Sequence, residues 1–451
     1  MKHLLKGGTV VTGANATRND ILFDDETGKI CEVGLDIKYD EATVTDVTGK
    51  LLFPGFIDAH THFDLDVCDT TTADDFESGT KSAIIGGTTT IIDFATQNKG
   101  ETLIQALQNW HDKADNKCSA DYAFHMAISD WNDTTAADIK TMVEKGVTSF
   151  KLYMTYPAMV VNDRELYEIL KTIKQAGGIV GVHCENMGLI DALVKEQKAL
   201  GNLTVSSHPI TRPDYAEAEA VNRLLKIAKV ADTPVIIVHL SSKRAYDEIK
   251  GDQTVYLETC PQYLILDDEV YKNGRIEYAC SPPIRKSEDR KTLWKALADG
   301  KIHTIATDHC SFTLDQKEVG RADFTKIPNG LPGVETRAIL LYTFGVATKK
   351  ITLEQMCKVL SENPAKLYGL YPNKGVIQQG SDADIVVWED LKWKIDEKEQ
   401  HSKAGYSPYH NMDVLGKPMN VYLRGKLIVQ NGNIINEKQG AYQKRVGGNL
   451  C

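Results

Sequence analysis

No two cysteines in this 451-residue chain stand at CxxC spacing, and no apolar run approaches the roughly 20 residues of a membrane span. The first absence argues against a zinc ribbon, the second against a transmembrane segment. The nine cysteines are scattered and odd in number, and Met1-Lys2-His3-Leu4-Leu5 runs into a Gly-rich turn rather than a long apolar stretch. Reduced thiols in a cytoplasmic protein are therefore expected. Basic residues are not in excess: Lys and Arg number 52 against 62 Asp and Glu, for a net charge of -10, and no basic stripe appears. Nucleic-acid binding is thus not expected as the main role. Internal repeats and low-complexity tracts are missing too. What remains is an ordinary globular composition, 42% hydrophobic and 25% charged, long enough for one large barrel and a smaller domain.

The two ends of the chain share one texture and the middle has another. Near the start, Leu4 to Val11 reads as a strand, Asp20–Phe23 and Lys29–Gly34 as a hairpin around Asp25–Gly28, and Thr43–Val47 as a further strand. From about Phe53, apolar runs alternate with helix-length amphipathic segments such as 103–114 and 136–145. The runs are 88–94, 122–128, 149–154, 179–183, 235–240, 255–259 and 304–308, which with the first makes about eight βα units. After about residue 372 strand signals return at 380–388 and 421–429. The expected fold is α/β: a TIM-like (β/α)₈ barrel over 54–371, with a small β-sandwich domain built from 1–53 and 372–451. The polar stretch from about Gly432 is expected to be a tail that docks on a neighbour.

The chemistry starts at Phe53-Pro54-Gly55-Phe56-Ile57-Asp58-Ala59-His60-Thr61-His62. On extended backbone residues i and i+2 point the same way, so His60 and His62 can aim both imidazoles at one point. His183, His239 and Asp308 each end an apolar run, and Lys151 sits inside one. In a (β/α)₈ barrel the C-terminal ends of different strands converge on one mouth. Histidine and carboxylate favour zinc and related divalent ions, and this set is too large for one tetrahedral ion, so two metals are expected. An ammonium has no free lone pair. Lys151 must then be neutral or chemically modified; carbamylation by carbon dioxide would make it a carboxylate able to bridge two ions.

These segments resemble the cyclic amidohydrolases, most closely the dihydropyrimidinases and D-hydantoinases. The resemblance rests on Gly55 to His62, Phe150-Lys151-Leu152-Tyr153-Met154-Thr155-Tyr156, Val182-His183-Cys184-Glu185-Asn186 and Val238-His239-Leu240-Ser241-Ser242. It extends to Ser281-Pro282-Pro283-Ile284-Arg285, Ala306-Thr307-Asp308-His309 and Asn329 to Glu335, in order and spacing, and runs from about residue 4 to 430. It implies hydrolytic ring opening of dihydropyrimidines and 5-substituted hydantoins by a hydroxide held between two zinc ions. A carbamylated Lys151 would bridge the ions, with His60, His62 and Asp308 completing the shell of one and His183 and His239 that of the other. Asp308 would carry the proton and Tyr156 would steady the oxyanion. Ser281 and Asn329 would hold the planar -CO-NH-CO- edge of the substrate. By the same analogy Leu65, Val67, Tyr153 and Val160 line the substituent pocket and the chain forms a homotetramer. The acidic run from Asp64 to Glu77 has the composition of a solvated loop, and its place after His62 makes it a candidate lid. His309 is expected to support a ligand rather than be one, and His125 and His208 to be structural.

Relatives with other activities are set apart by single positions. Dihydroorotases carry an Arg two residues after the second His, to pair the substrate carboxylate; Asp64 stands there in this chain and would repel an anion. Allantoinase is the nearer alternative. Non-catalytic scaffold relatives have lost the ligands, all of which are present here.

Overall fold

The computed structural model describes residues 1–249 and 254–447. Its central sheet has eight parallel strands: Phe56–Thr61, Thr88–Thr96, Asp121–Ala127, Ser149–Tyr153, Ile179–His183, Val235–Ile237, Val255–Thr259 and Thr304–Ile305. They neighbour one another in chain order, as the strands of a (β/α)₈ barrel do. The last strand meets the first through point contacts rather than a ladder. Thr307 donates to Asp58 from its N–H (3.1 Å) and its hydroxyl (2.7 Å), His309 N–H donates to His60 O (3.3 Å), and His62 N–H to His309 O (2.8 Å). The strand expected over 304–308 is only two residues long, Thr304–Ile305; the backbone takes a left-handed step at Asp308 (φ 53°), and His309 then pairs with Thr61 through a single parallel bridge.

The helix Leu103–Ala114 illustrates how local sequence builds the outer layer. Thr102 caps it and Gln105 reciprocates. Leu103, Ala106, Leu107, Trp110 and Ala114 recur at helical spacing and are all buried against the barrel. Trp110 Nε1 donates to Asp93 Oδ1 (3.1 Å), while Asp93 Oδ2 accepts from the Thr61 hydroxyl (2.7 Å) and Phe63 N–H (3.0 Å). A buried carboxylate thus fixes the course of the chain directly around His60 and His62.

Both chain ends contribute to a second sheet of nine strands. Leu51–Pro54 joins the halves, pairing with Lys2–Val11 on one side and Ile385–Lys394 on the other. The sheet curls over itself as a sandwich does. Phe23 and Tyr422 lie on strands with three others between them, yet their rings meet at 5.2 Å. The opposite face carries Phe53 and Trp388, which pack on Phe56 at 5.6 and 6.3 Å and glue the sheet to the barrel base. The described part of the tail, up to residue 447, pairs with its own barrel, with Gln443 N–H donating to Tyr122 O (2.7 Å), Tyr122 N–H to Ala441 O (3.1 Å) and Arg445 to Ser149 Oγ (2.7 Å). Extended main chain needs no apolar pattern to pair, which is why the polar sequence hid it.

Buried Lys374 ties the two sheets together. Its ammonium meets Asp121 (2.7 Å) at the start of the third barrel strand, and Asp384 (2.7 Å) and Asp382 (3.1 Å) beside the terminal sheet. Removing one partner of a buried ionic cluster strands the others without a counter-charge. Lys374→Met is therefore expected to cost about 3–5 kcal/mol of stability. Chemical denaturation measures it, and a loss below about 1 kcal/mol would mean that Arg424, which also contacts Asp121, already neutralises the cluster.

Candidate active site

His60 and His62 leave the first barrel strand with rings 5.2 Å apart, and both aim Nε2 at the same oxygen, Asp308 Oδ1, at 3.1 and 3.2 Å. One donor atom from each of the three lies within 4.8 Å of the others. Glu258 Oε1 accepts from His60 Nδ1 (2.7 Å) and so turns Nε2 toward Asp308, where a neutral ring presents its lone pair. Converging lone pairs on nitrogen and carboxylate oxygen repel unless a cation or proton stands between them. The donor set therefore fits a divalent metal.

The remaining predicted ligands complete one chain of rings. His60 neighbours His239 at 5.5 Å, and His239 neighbours His183 at 4.5 Å. His183 Nε2 bonds Glu185 Oε2 (2.7 Å), leaving Nδ1 as its free ring nitrogen. Arg212 holds the same carboxylate oxygen at 2.6 Å and, against the upward push of burial, keeps Glu185 down at about 2. Lys151 Nζ lies 3.5 Å from His60 Nε2, between the Phe94 and Tyr153 rings, with no carboxylate in ion-pair contact among the described residues. Burial pushes its ammonium down to about 8. Burial likewise lowers His62, to about 4, and His239. Asp308 is pushed up by burial, but His60 and His62 more than offset this and hold it well below the usual carboxylate range.

Tyr156, His239 and Asp308 all adopt positive φ, at 70°, 38° and 53°. Such backbone is uncommon for a non-glycine residue and collects at functional sites. Here it turns each side chain off its strand end and toward the centre.

The six predicted ligands line a cavity of about 620 Å³ together with Tyr156, Ser281 and Asn329. The Tyr156 and His183 rings are 5.2 Å apart, and Asn329 Oδ1 is buried without a partner. Leu65, Val67 and Tyr153 line the cavity as expected, the first two from the segment that carries the hairpin Asp66–Thr71. Val160 does not: it pairs with Tyr153 through the main chain and faces a neighbouring groove, and Pro157, Ala158 and Met159 reach the cavity instead. Asp64 is also displaced from its expected role. Its carboxylate accepts from Phe76 N–H (3.4 Å) and does not line the cavity, so it cannot repel an anion there directly. His309 bonds Asp74 (2.9 Å) behind the site, His125 bonds Ser149 and Ala59 O, and His208 bonds Cys280 O, all three in supporting positions.

Sequence reasoning gave no role to Glu258, Glu185 or Arg212. Glu258 carried the same signal as Lys151, a charge inside an apolar strand. It holds His60 and also accepts from the main-chain N–H of His239 (3.2 Å).

Comparison with known proteins agrees with this geometry. The chain is 40% identical to the D-hydantoinase of Geobacillus stearothermophilus, over 99% of this chain and 97% of that one. It is 37% identical to the D-hydantoinase of Streptomyces coelicolor, over 98% and 97%. The crystal structure of dihydropyrimidinase from Brevibacillus agri superposes with a TM-score of 0.97 at 39% identity, covering all of both chains. The amidohydrolase family pattern matches residues 51–428, and this chain belongs to the amidohydrolase family.

Proposed function

We propose that this protein opens cyclic amides by hydrolysis, converting 5,6-dihydropyrimidines to N-carbamoyl-β-amino acids and 5-substituted hydantoins to N-carbamoyl amino acids. The observation that carries this reading is one cavity with converging lone pairs on one wall and Tyr156, Ser281 and Asn329 beside them. Two divalent ions, zinc by the chemistry of the ligands, would be held by His60, His62 and Asp308 and by His183 and His239. Lys151, as N6-carboxylysine, would serve both; a buried ammonium without a counter-ion is costly, and a carboxylate among metal donors is not. When bound, the ions supply Lewis acidity and lower the pKa of water.

The chain's own groups do the rest. Asp308 is ionised and can take a proton at a carboxylate oxygen as water adds to the ring carbonyl carbon. It returns that proton to the ring nitrogen as the C–N bond breaks, so the product gains one water in all. The Tyr156 hydroxyl donates to the carbonyl oxygen as negative charge gathers on it; burial pushes this hydroxyl above its usual range, so it stays a donor. Ser281 and Asn329 hold the planar amide edge. The apolar side chains of Leu65, Val67 and Met159 receive the ring substituent.

The setting proposed is cytoplasmic and the assembly a homotetramer; the eight cysteines among the described residues are all unpaired, as a reducing compartment requires. One purified preparation tests the reading. It is expected to contain zinc, to scatter as more than one chain, and to open dihydrouracil and 5-substituted hydantoins. Opening of allantoin alone, or a metal-free protein that hydrolyses nothing, would overturn it.

A further inference from the structure

Lys317 is fully buried, yet its ammonium has no carboxylate in ion-pair contact among the described residues. It stands on the short helix Leu314–Glu318 and donates to two main-chain oxygens, Ala279 O and Pro328 O, each at 3.0 Å. Ala279 is two residues before Ser281, and Pro328 immediately precedes Asn329. These are the two loops that bring Ser281 and Asn329 to the cavity wall. The loops also touch directly: Gly330 N–H donates to Ala279 O (2.9 Å), so one carbonyl serves both the lysine and the opposite loop. The preceding helix residue, Gln316, donates through Nε2 to Thr70 Oγ1 and Thr71 O, both 2.8 Å, and so holds the hairpin that carries Val67 over the same cavity.

A buried ammonium without a counter-ion is an expensive way to stabilise a fold, since an apolar side chain would avoid its desolvation. What an apolar side chain cannot do is hold two carbonyls from separate loops at one fixed distance. We propose that Lys317 is a positioning residue, which sets the spacing of the Ser281 and Asn329 loops and thereby the binding of the substrate's amide edge, without touching substrate or metal. The inference rests on the cyclic-amide reading. It adds a residue 36 positions beyond Ser281 whose effect is on binding rather than on the chemical step.

The test uses the metal-loaded protein and its Lys317→Met and Lys317→Gln variants, with KM, kcat, zinc content and melting temperature measured on dihydrouracil and a 5-substituted hydantoin. Lys317→Met is expected to raise KM about tenfold or more while kcat stays within about threefold, the pattern of lost binding common to ground and transition state. Zinc content should not change. Lys317→Gln, whose amide can still donate, should recover part of the KM. An unchanged KM in folded, zinc-loaded Lys317→Met overturns the proposal, as does a loss of kcat that tracks lost zinc, which would mark a merely structural role. Should both variants fail to fold, Gly330→Ala decides. Its Cβ would stand 2.1 Å from Cys310 O and displace the Asn329 loop from the other side, so KM must rise with zinc retained, and an unchanged KM overturns the proposal. A wild-type protein that opens no cyclic amide removes the proposed function itself, and this inference with it, before any variant is compared.

Discussion

Lys151→Ala is expected to purify with less than half the zinc of the wild-type protein and to lose turnover by about three orders of magnitude or more. Metal chemistry contributes several kcal/mol of transition-state stabilisation, and each ~1.4 kcal/mol is tenfold in rate. The expectation follows from the position of the side chain. Lys151 is buried with its Nζ 3.5 Å from His60 Nε2, at the point where the His60, His62 and Asp308 group meets the His183 and His239 pair. A methionine at 151 keeps the volume but not the ligand, so Lys151→Met separates the lost metal from lost packing. Both variants should fold, since each removes a buried charge that has no counter-ion in the metal-free protein. Metal content by atomic emission on the folded variants is the decisive measurement, and undiminished zinc in either would refute the bridging carboxylate.

The convergence of the candidate ligands was legible in the sequence because a barrel converts a one-dimensional pattern into a place. His183, His239 and Asp308 each close an apolar run, and the strand ends of a closed barrel share one mouth, so the pattern alone brought them together. The two residues that misled, Val160 and Asp64, lie beyond strand ends, where direction depends on turns. The backbone of Asp64 has φ 52°, and its carboxylate serves Phe76 N–H in the first turn of the following helix. No spacing rule reaches that far. The positive φ of Tyr156, His239 and Asp308 was equally hidden, since nothing in their local sequence asks for it and the barrel imposes it. Lys317 was invisible for another reason. It sits on a five-residue helix with a Gln before it and a Glu after it, where a lysine reads as solvated, and only the fold buries it.

The same contrast separates two kinds of carboxylate in the site. Glu258 and Glu185 each hold one ring nitrogen of a histidine and point its other nitrogen inward. Their loss should loosen metal binding, not abolish proton transfer. Asp308 alone among the three carboxylates lines the cavity, and it is the one that can both ligate and reach a bound substrate.

Asp308→Asn exploits this difference and is expected to keep the fold and much of the zinc while turnover falls by about 10²- to 10⁴-fold, the usual contribution of a positioned acid–base group. The amide is nearly isosteric with the carboxylate, and its Oδ1 can still face His60 and His62, which now approach Asp308 Oδ1 at 3.1 and 3.2 Å. What it cannot do is accept the proton released when water adds to the carbonyl and hand it to the ring nitrogen. The loss should therefore appear in kcat, and KM should change little, because the amide edge is held by other residues. Turnover and zinc content measured on the same folded sample separate the outcomes. Substantial residual activity with full zinc would remove Asp308 from proton transfer and leave it as a ligand only. Lost activity together with lost zinc would show that its charge is needed to hold the ion.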